Sequence, residues 1–419
     1  MKKIFKSEFV ENFSVLLSGN VGGQAIALLV YPLLTRMYTQ ECFGTFALFS
    51  SIVSILAILA TGKYEEAIII TPTKKEALCV TGYAFRILCI FSFLLTLILL
   101  FFKHPIFSIF DIPEIERYWY LIPVLVFFSG ILFILIDLAN KDKMYKAISA
   151  SNVSLNLSSS ALKLGFGCIA LPDNIGLILA TVISYIPAIF SFCRIKHDFI
   201  SGLSMTWAEK KAAGKKYAEF PKYSMTRNLI YSFSTNIPFL MLIGVFGEAK
   251  LGLFALALTL GFRPINLITG SLYQVFYERI ASKKNNNEKI SYIIKNYWVK
   301  TTYLMAPMFI LLYYFLPFLV SFIFGKEWAE SSIYFRYLLP WIFFSLLLYP
   351  MLFLPAVFSK QSIALWLEIG CLLVRLCVVC ISIYFKDFDL GILLYSLTGC
   401  LFAGISLIWY ITLIKRYES

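Results

Sequence analysis

The sequence is poor in the residues on which most enzymes rely. Of its 419 residues only two are histidine, and its nine cysteines are scattered. His104 and His197 sit at the edges of apolar runs with no cysteine or acidic cluster around them, so a metal centre lacks ligands. Cys377-Val378-Val379-Cys380 has C-x-x-C spacing but lies inside an apolar run, and it reads as two small buried residues. Charge is scarce too, at 15% of residues, where a soluble domain carries about 25%. There is no G-x-x-x-x-G-K-S/T loop to cradle a nucleotide, no G-x-S-x-G elbow and no H-E-x-x-H pair. Each of those needs its residues at fixed spacing to bring a nucleophile, base or metal together. These absences exclude an ordinary soluble enzyme and a secreted disulfide scaffold, and they give no signal for a cofactor.

What is present is apolar: 59% of residues, 17% aromatic, with a mean hydropathy of +0.79. Twelve apolar segments cover 13–35, 43–62, 78–102, 118–139, 148–171, 175–193, 224–246, 251–276, 298–324, 335–358, 362–384 and 390–414. A spanning helix needs roughly 20 residues, and an open sheet leaves its backbone unsatisfied in lipid. The reading is therefore an all-α, polytopic membrane protein with twelve transmembrane helices. The first segment contains Asn20, Gly22, Gly23 and Gln24, too polar for a cleaved signal.

The net charge of +13 is informative through its distribution. With the N-terminus inside, 25 of the 37 Lys and Arg fall in or beside cytoplasmic segments, seven on the opposite face and five within helices. That bias places both termini in the cytoplasm and makes the basic excess a topology signal rather than a nucleic-acid footprint. The longest hydrophilic stretch, 194–223, contains Lys210, Lys211, Lys215 and Lys216. It reads as a linker on the anionic inner leaflet, and no soluble catalytic domain is in view.

The chain also resembles itself. Gly44-Thr45-Phe46-Ala47-Leu48 in helix 2 answers Gly252-Leu253-Phe254-Ala255-Leu256 in helix 8, and Tyr120-Leu121-Ile122-Pro123 in helix 4 answers Tyr337-Leu338-Leu339-Pro340 in helix 10. The register is that of two six-helix halves in one orientation. This divides the chain into an N-terminal lobe (1–200, helices 1–6), a basic cytoplasmic linker (201–222) and a C-terminal lobe (223–419, helices 7–12). Parallel repeats of this kind are typical of transporters, whose substrate site lies between the halves.

A charge at mid-helix costs about 2.5–3.5 kcal/mol on insertion scales and usually serves a function. Arg263 and Arg375 lie near the middle of helices 8 and 11, Arg86 and Arg227 toward the cytoplasmic ends of helices 3 and 7, and Lys163 deeper in helix 5. The acids are fewer: Glu65 and Glu66 at the end of helix 2, Asp137 in helix 4 and Glu368 in helix 11. Two readings stand side by side. The cations bind an anionic headgroup, with Arg suited to bidentate contact with phosphate, or each pairs with an acid or carbonyl and holds the bundle together. Pro264 follows Arg263 in helix 8, Pro238 interrupts helix 7 and Pro32 helix 1; each breaks a backbone hydrogen bond and is a candidate hinge.

Several stretches resemble bacterial polysaccharide flippases of the O-antigen (Wzx) type, within the superfamily that includes multidrug/toxin extrusion proteins and the peptidoglycan lipid flippase. They are Pro32-Leu33-Leu34-Thr35-Arg36-Met37-Tyr38, Phe43-Gly44, Tyr64-Glu65, Glu219-Phe220-Pro221-Lys222-Tyr223-Ser224, Phe246-Gly247, Pro264-Ile265, Gln274-Val275-Phe276-Tyr277 and Phe324-Gly325-Lys326-Glu327-Trp328. Order and spacing hold from about residue 30 to residue 345, roughly three quarters of the chain. Lys63 stands where Arg is expected before the Tyr-Glu pair, which keeps the charge.

The resemblance implies a two-lobed, V-shaped bundle in the bacterial inner membrane that alternates between inward and outward openings. The implied cargo is an oligosaccharide on undecaprenyl diphosphate, and a polysaccharide polymerase and a chain-length regulator are the implied partners. Arg36 and Lys63 join the cationic substrate set, and Asp137, Glu66 and Glu368 are the candidate carriers for H⁺ or Na⁺ coupling. Two other readings are kept. A multidrug or toxin exporter would need an acid-lined cavity for cations, and an integral-membrane enzyme of polysaccharide synthesis would need a large hydrophilic loop.

Overall fold

In lipid every backbone N–H and C=O must be satisfied within its own segment, which helices achieve turn by turn. The computed structural model, which describes residues 21–109, 113–169, 174–285, 288–358 and 360–418, is helical almost throughout, and no strand occurs among the described residues. Each of the twelve apolar segments falls on a helix. These are α1 (Val21–Met37), α2 (Gln40–Ala60), α3 (Lys74–Ile109), α4 (Leu121–Lys141), α5 (Tyr145–Cys168), α6 (Asn174–Phe190), α7 (Thr226–Met241), α8 (Glu248–Asn285), α9 (Ser291–Phe324), α10 (Ser331–Leu348), α11 (Gln361–Phe385) and α12 (Phe388–Glu418). Residues 13–20 of the first segment, with Lys2, Lys3 and Lys6, lie outside the described residues.

Nine helical stretches are long and apolar enough to cross a membrane among the described residues. A tenth counts if α6 and Cys193–Ser204, bent by 58°, form one span. The strongly polar α5 is not among them, because Ser149, Ser151, Asn152, Ser154, Asn156, Ser158, Ser159 and Ser160 all lie on it. Helices also outrun the apolar runs that predict them. α8 continues to Asn285 and α3 to Ile109, because Lys and Glu are good helix formers and nothing stops the helix where the apolar run ends. Pro32, Pro238 and Pro264 lie inside continuous helices rather than at breaks. Membrane helices accommodate such prolines through local adjustment.

The chain forms two compact units, Met1–Gly244 and Val245–Ser419. α7 packs against α2 and belongs to the first, so the boundary falls one helix beyond the basic linker. Within the first unit α4 packs on α2, α3 and α6, and α5 on α6; within the second α10 packs on α8, α9 and α12, and α11 on α12. The same pairings thus recur in helices 2–6 and 8–12, as the internal repeat predicts. α4 and α10 are the central helices, mostly buried, while α9 and α11 are mostly exposed.

The second unit is held by aromatic packing. Phe254, Tyr334, Tyr395 and Trp341 contact one another edge to face, and Trp341 also meets Phe262. Gly399 makes room for them: a Cβ there would lie 2.4 Å from the Trp341 ring. Ser331 donates to the Leu253 carbonyl at 2.8 Å and Ser396 to that of Tyr337 at 2.6 Å, tying α10 to α8 and α12.

The linker is helical. It contains the helices Lys196–Ser204 and Trp207–Lys216, both docked on the start of α3. Thr206 and Glu209 form a capping box for the second. Gly202 crosses α3 so closely at Gly82 that a Cβ on Gly82 would lie 2.2 Å from the Gly202 carbonyl oxygen. Ion pairs fasten the strap: Lys74 to Asp198 at 2.8 Å, Lys75 to Glu209 at 2.7 Å, and Lys216 to Glu76. Lys75 and then Thr206 hold the Glu209 carboxyl well below the usual carboxylate range, at about 2.

Candidate functional site

The turn that follows α2 builds the most concentrated polar site. Gly62 and Lys63 both take positive φ, 58° and 59°, the second at a cost of about 1–2 kcal/mol for a residue with a Cβ. That conformation returns the Lys63 ammonium toward the next helical turn, 3.4 Å from Glu65 Oε1 and 3.2 Å from Glu66 Oε1. Glu65 is 2% exposed. Burial pushes its carboxyl above the usual carboxylate range, against the pull of Lys63. Burial also works against the charge on Lys63, but Glu65 and Glu66 prevail and hold its ammonium above the usual lysine range.

Asp137 of α4 lies within the electrostatic reach of Lys63, Glu65 and Glu66. Two carboxylates thus share one ammonium with a third in its field, an arrangement that favours taking up a proton or another cation. Glu66 also accepts a hydrogen bond from Ser224, and Asn228 donates to the Ser224 carbonyl at 2.9 Å. Deeper, Asn236 of α7 donates to Ser54 of α2 at 3.3 Å. The cluster is therefore tied to the start of α7.

The cations named from the sequence are dispersed. Arg36 is exposed at the end of α1, and Arg227 is exposed in the first turn of α7. Arg86 is exposed on α3, its guanidinium 3.8 Å from the Trp207 ring. Lys163 lies 18 residues into α5, about 27 Å along at 1.5 Å per residue. Its carbonyl accepts from Tyr38 at 2.8 Å, and its ammonium sits 4.4 Å from the Phe46 ring, at the α1–α2 end of the unit.

In the second unit Arg263 is half-buried on α8. Arg375 is 3% exposed, held between Trp341 at 4.7 Å and Tyr395 at 4.4 Å. Both rings belong to the second unit. Glu368, half-buried on α11, reaches Tyr410 of α12 electrostatically. Cys377 and Cys380 are exposed on α11, not buried, and among the described residues no group of three or more His, Cys, Asp and Glu is placed to hold a metal.

Sequence reasoning favours Glu66 for coupling, whereas the structure makes Glu65 the more buried of the pair. It also misses Trp207 and Ser224, whose partners lie 121 and 158 residues away. Only the capping box, Thr206-x-x-Glu209, signals the helix that positions Trp207.

The fold is shared with solved transporters. An inward-facing multidrug resistance MATE family transporter of the MOP superfamily matches with a TM-score of 0.66 at 14% identity, over 97% of this chain and 99% of its own. Lipid II flippase MurJ, in an inward closed conformation, matches with a TM-score of 0.72 at 12% identity, over 97% and 89%. The Vibrio cholerae MATE transporter VcmN in its bent form gives 0.59 at 13%, over 97% and 99%. At such identities the likeness is one of fold. No curated protein matches the chain in sequence. Residues 33–333, well over half of the chain, match the sequence model described as "Polysaccharide biosynthesis protein". This multi-pass membrane chain belongs to the polysaccharide biosynthesis protein family.

Proposed function

We propose that the protein is a flippase, not an enzyme. It moves an undecaprenyl-diphosphate-linked oligosaccharide, the repeat unit of O-antigen or a similar surface polysaccharide, from the cytoplasmic to the periplasmic leaflet of a bacterial inner membrane by alternating access. The observation that carries this reading is a polysaccharide-biosynthesis family match on a chain that follows a transporter fold along 97% of its length. The family match favours this cargo over the drugs of a multidrug exporter, to which the likeness of fold alone would equally point.

In this reading both termini are cytoplasmic, and Arg36, Arg86, Arg227 and Arg263 contact the diphosphate in the course of transport, while Lys163 and Arg375 serve packing. Carrying two negative charges outward across an inside-negative membrane releases about 2.3 kcal/mol per charge per 100 mV. Asp137 and Glu66, with Glu65, and Glu368 in the second unit are the groups for H⁺ or Na⁺ coupling; Pro32, Pro238 and Pro264 are the hinge positions. A polysaccharide polymerase and a chain-length regulator act on the product. Deleting the protein should remove the surface polysaccharide and leave the lipid-linked oligosaccharide accumulating on the cytoplasmic side. Unchanged polysaccharide together with new sensitivity to cationic drugs would favour the exporter.

A further inference from the structure

The linker strap carries a feature that its structural duties do not use. Its three ion pairs consume Lys74, Lys75 and Lys216. On the same face of α3, no carboxylate among the described residues lies within ion-pair distance of Arg86 or Lys210. Lys210 donates to the Leu203 carbonyl at 2.6 Å, and its side chain passes within 2.7 Å of where a Cβ on Gly82 would stand. Gly82 is one helical turn before Arg86 on α3, so the Lys210 stem crosses α3 one turn from Arg86.

The Arg86 guanidinium is also pre-oriented. Its central carbon lies 3.8 Å from the centroid of the Trp207 ring, which is in turn stacked on Tyr83, with centroids 6.0 Å apart and planes at 20°. Gly214 packs so closely on Tyr83 that a Cβ would fall 2.4 Å from its ring, and Tyr83 meets Tyr64 edge to face. A cation–π contact at that distance holds the guanidinium in place while no carboxylate takes up its N–H groups, which can bind phosphate through two parallel hydrogen bonds. Trp207 remains 44% exposed, so the site is open to a ligand.

We propose that Arg86 and Lys210 form an oxoanion subsite, assembled when the helix Trp207–Lys216 docks on α3, that takes the phosphate of a prenyl diphosphate before transport. Trp207 is its positioning residue. The proposal rests on the flippase reading and adds an entry site with a named phosphate contact on the linker. Phosphate could equally come from an anionic phospholipid headgroup, and the test separates the two sources.

The test measures binding of undecaprenyl diphosphate to the purified full-length protein, with phosphatidylglycerol micelles or inorganic pyrophosphate as competitors. A charged hydrogen-bonding pair supplies about 1.5–3 kcal/mol, so Arg86→Ala should weaken binding by about tenfold or more, with Arg86→Lys failing to restore it. Lys210→Ala should cost about threefold for a single half-buried ammonium near the surface. Trp207→Phe keeps a ring under the guanidinium and should stay within about twofold, whereas Trp207→Ala should lose about fivefold at an unchanged unfolding midpoint. Equal displacement by phosphatidylglycerol would overturn the assignment to prenyl diphosphate. Wild-type affinity in Arg86→Ala and Lys210→Ala would overturn the subsite while leaving the flippase reading intact. No binding of the prenyl diphosphate by the wild-type protein would overturn the flippase reading itself.

Discussion

Lys63→Ala is expected to abolish surface polysaccharide and to deplete the folded protein from the membrane. Lys63 is the one ammonium placed against Glu65 and Glu66, with Asp137 in the same field, and Glu65 has almost no access to water. Removing one partner of a buried ion pair costs on the order of 3–5 kcal/mol, because the remaining charge is left uncompensated. The loss should depend on pH in a definite direction. Burial already raises the Glu65 carboxyl above its ordinary range, and removing Lys63 raises it further. A group whose folded pKa is raised contributes stability below its unfolded pKa and loses it as pH rises through the folded value. The variant should therefore unfold more readily as the medium moves from acid toward neutral, and Glu65→Gln should rescue it in part. A Lys63→Ala protein with wild-type level, stability and transport would remove the cluster from any role.

Arg263→Ala is expected to abolish polymer export for the opposite reason, leaving the protein level near normal. Arg263 is half-buried in an apolar stretch of α8, where a charge is costly to place. Loss of a charge-assisted contact to diphosphate lowers transport by on the order of tenfold to a hundredfold. Arg263→Lys should recover part of the rate, since a point charge cannot reproduce the two parallel hydrogen bonds. Full recovery would mean that charge alone matters. Rate unchanged in Arg263→Ala would take the residue out of the substrate path, and simultaneous loss of folded protein would make it a packing residue.

Much of the fold is legible in the sequence because lipid leaves the backbone so few choices. Among the described residues each of the twelve apolar runs lies on a helix, and the Gly44–Leu48 and Gly252–Leu256 repeat foreshadows the matched packing of α2 on α4 and α8 on α10. Helix ends are less legible. Hydropathy marks where lipid ends, whereas the hydrogen-bonded ladder of α8 runs on through Lys283 and Lys284 to Asn285. The linker reads as a basic stretch on the anionic inner leaflet, yet three of its charged residues, Asp198, Glu209 and Lys216, find partners on α3.

Site residues divide the same way. Lys63, Glu65 and Glu66 are close in sequence and recognisable as a cluster. The pairing of Arg375 with Trp341 and Tyr395, or of Arg86 with Trp207, is a product of tertiary packing between residues 20 to 121 apart in sequence. An isolated charge in an apolar helix tells that a partner exists and not which one.

The central claim is that the cargo is a lipid-linked saccharide and that it is moved, not modified. Purified protein in vesicles bearing a fluorescent undecaprenyl-diphosphate oligosaccharide in both leaflets, quenched from outside by a membrane-impermeant reductant, tests it directly. The account predicts that fluorescence falls toward zero with wild-type protein and stops near half with empty vesicles, while the glycolipid is recovered chemically intact. A stop near half with the wild-type protein, or recovery of a lengthened or cleaved saccharide, would contradict it.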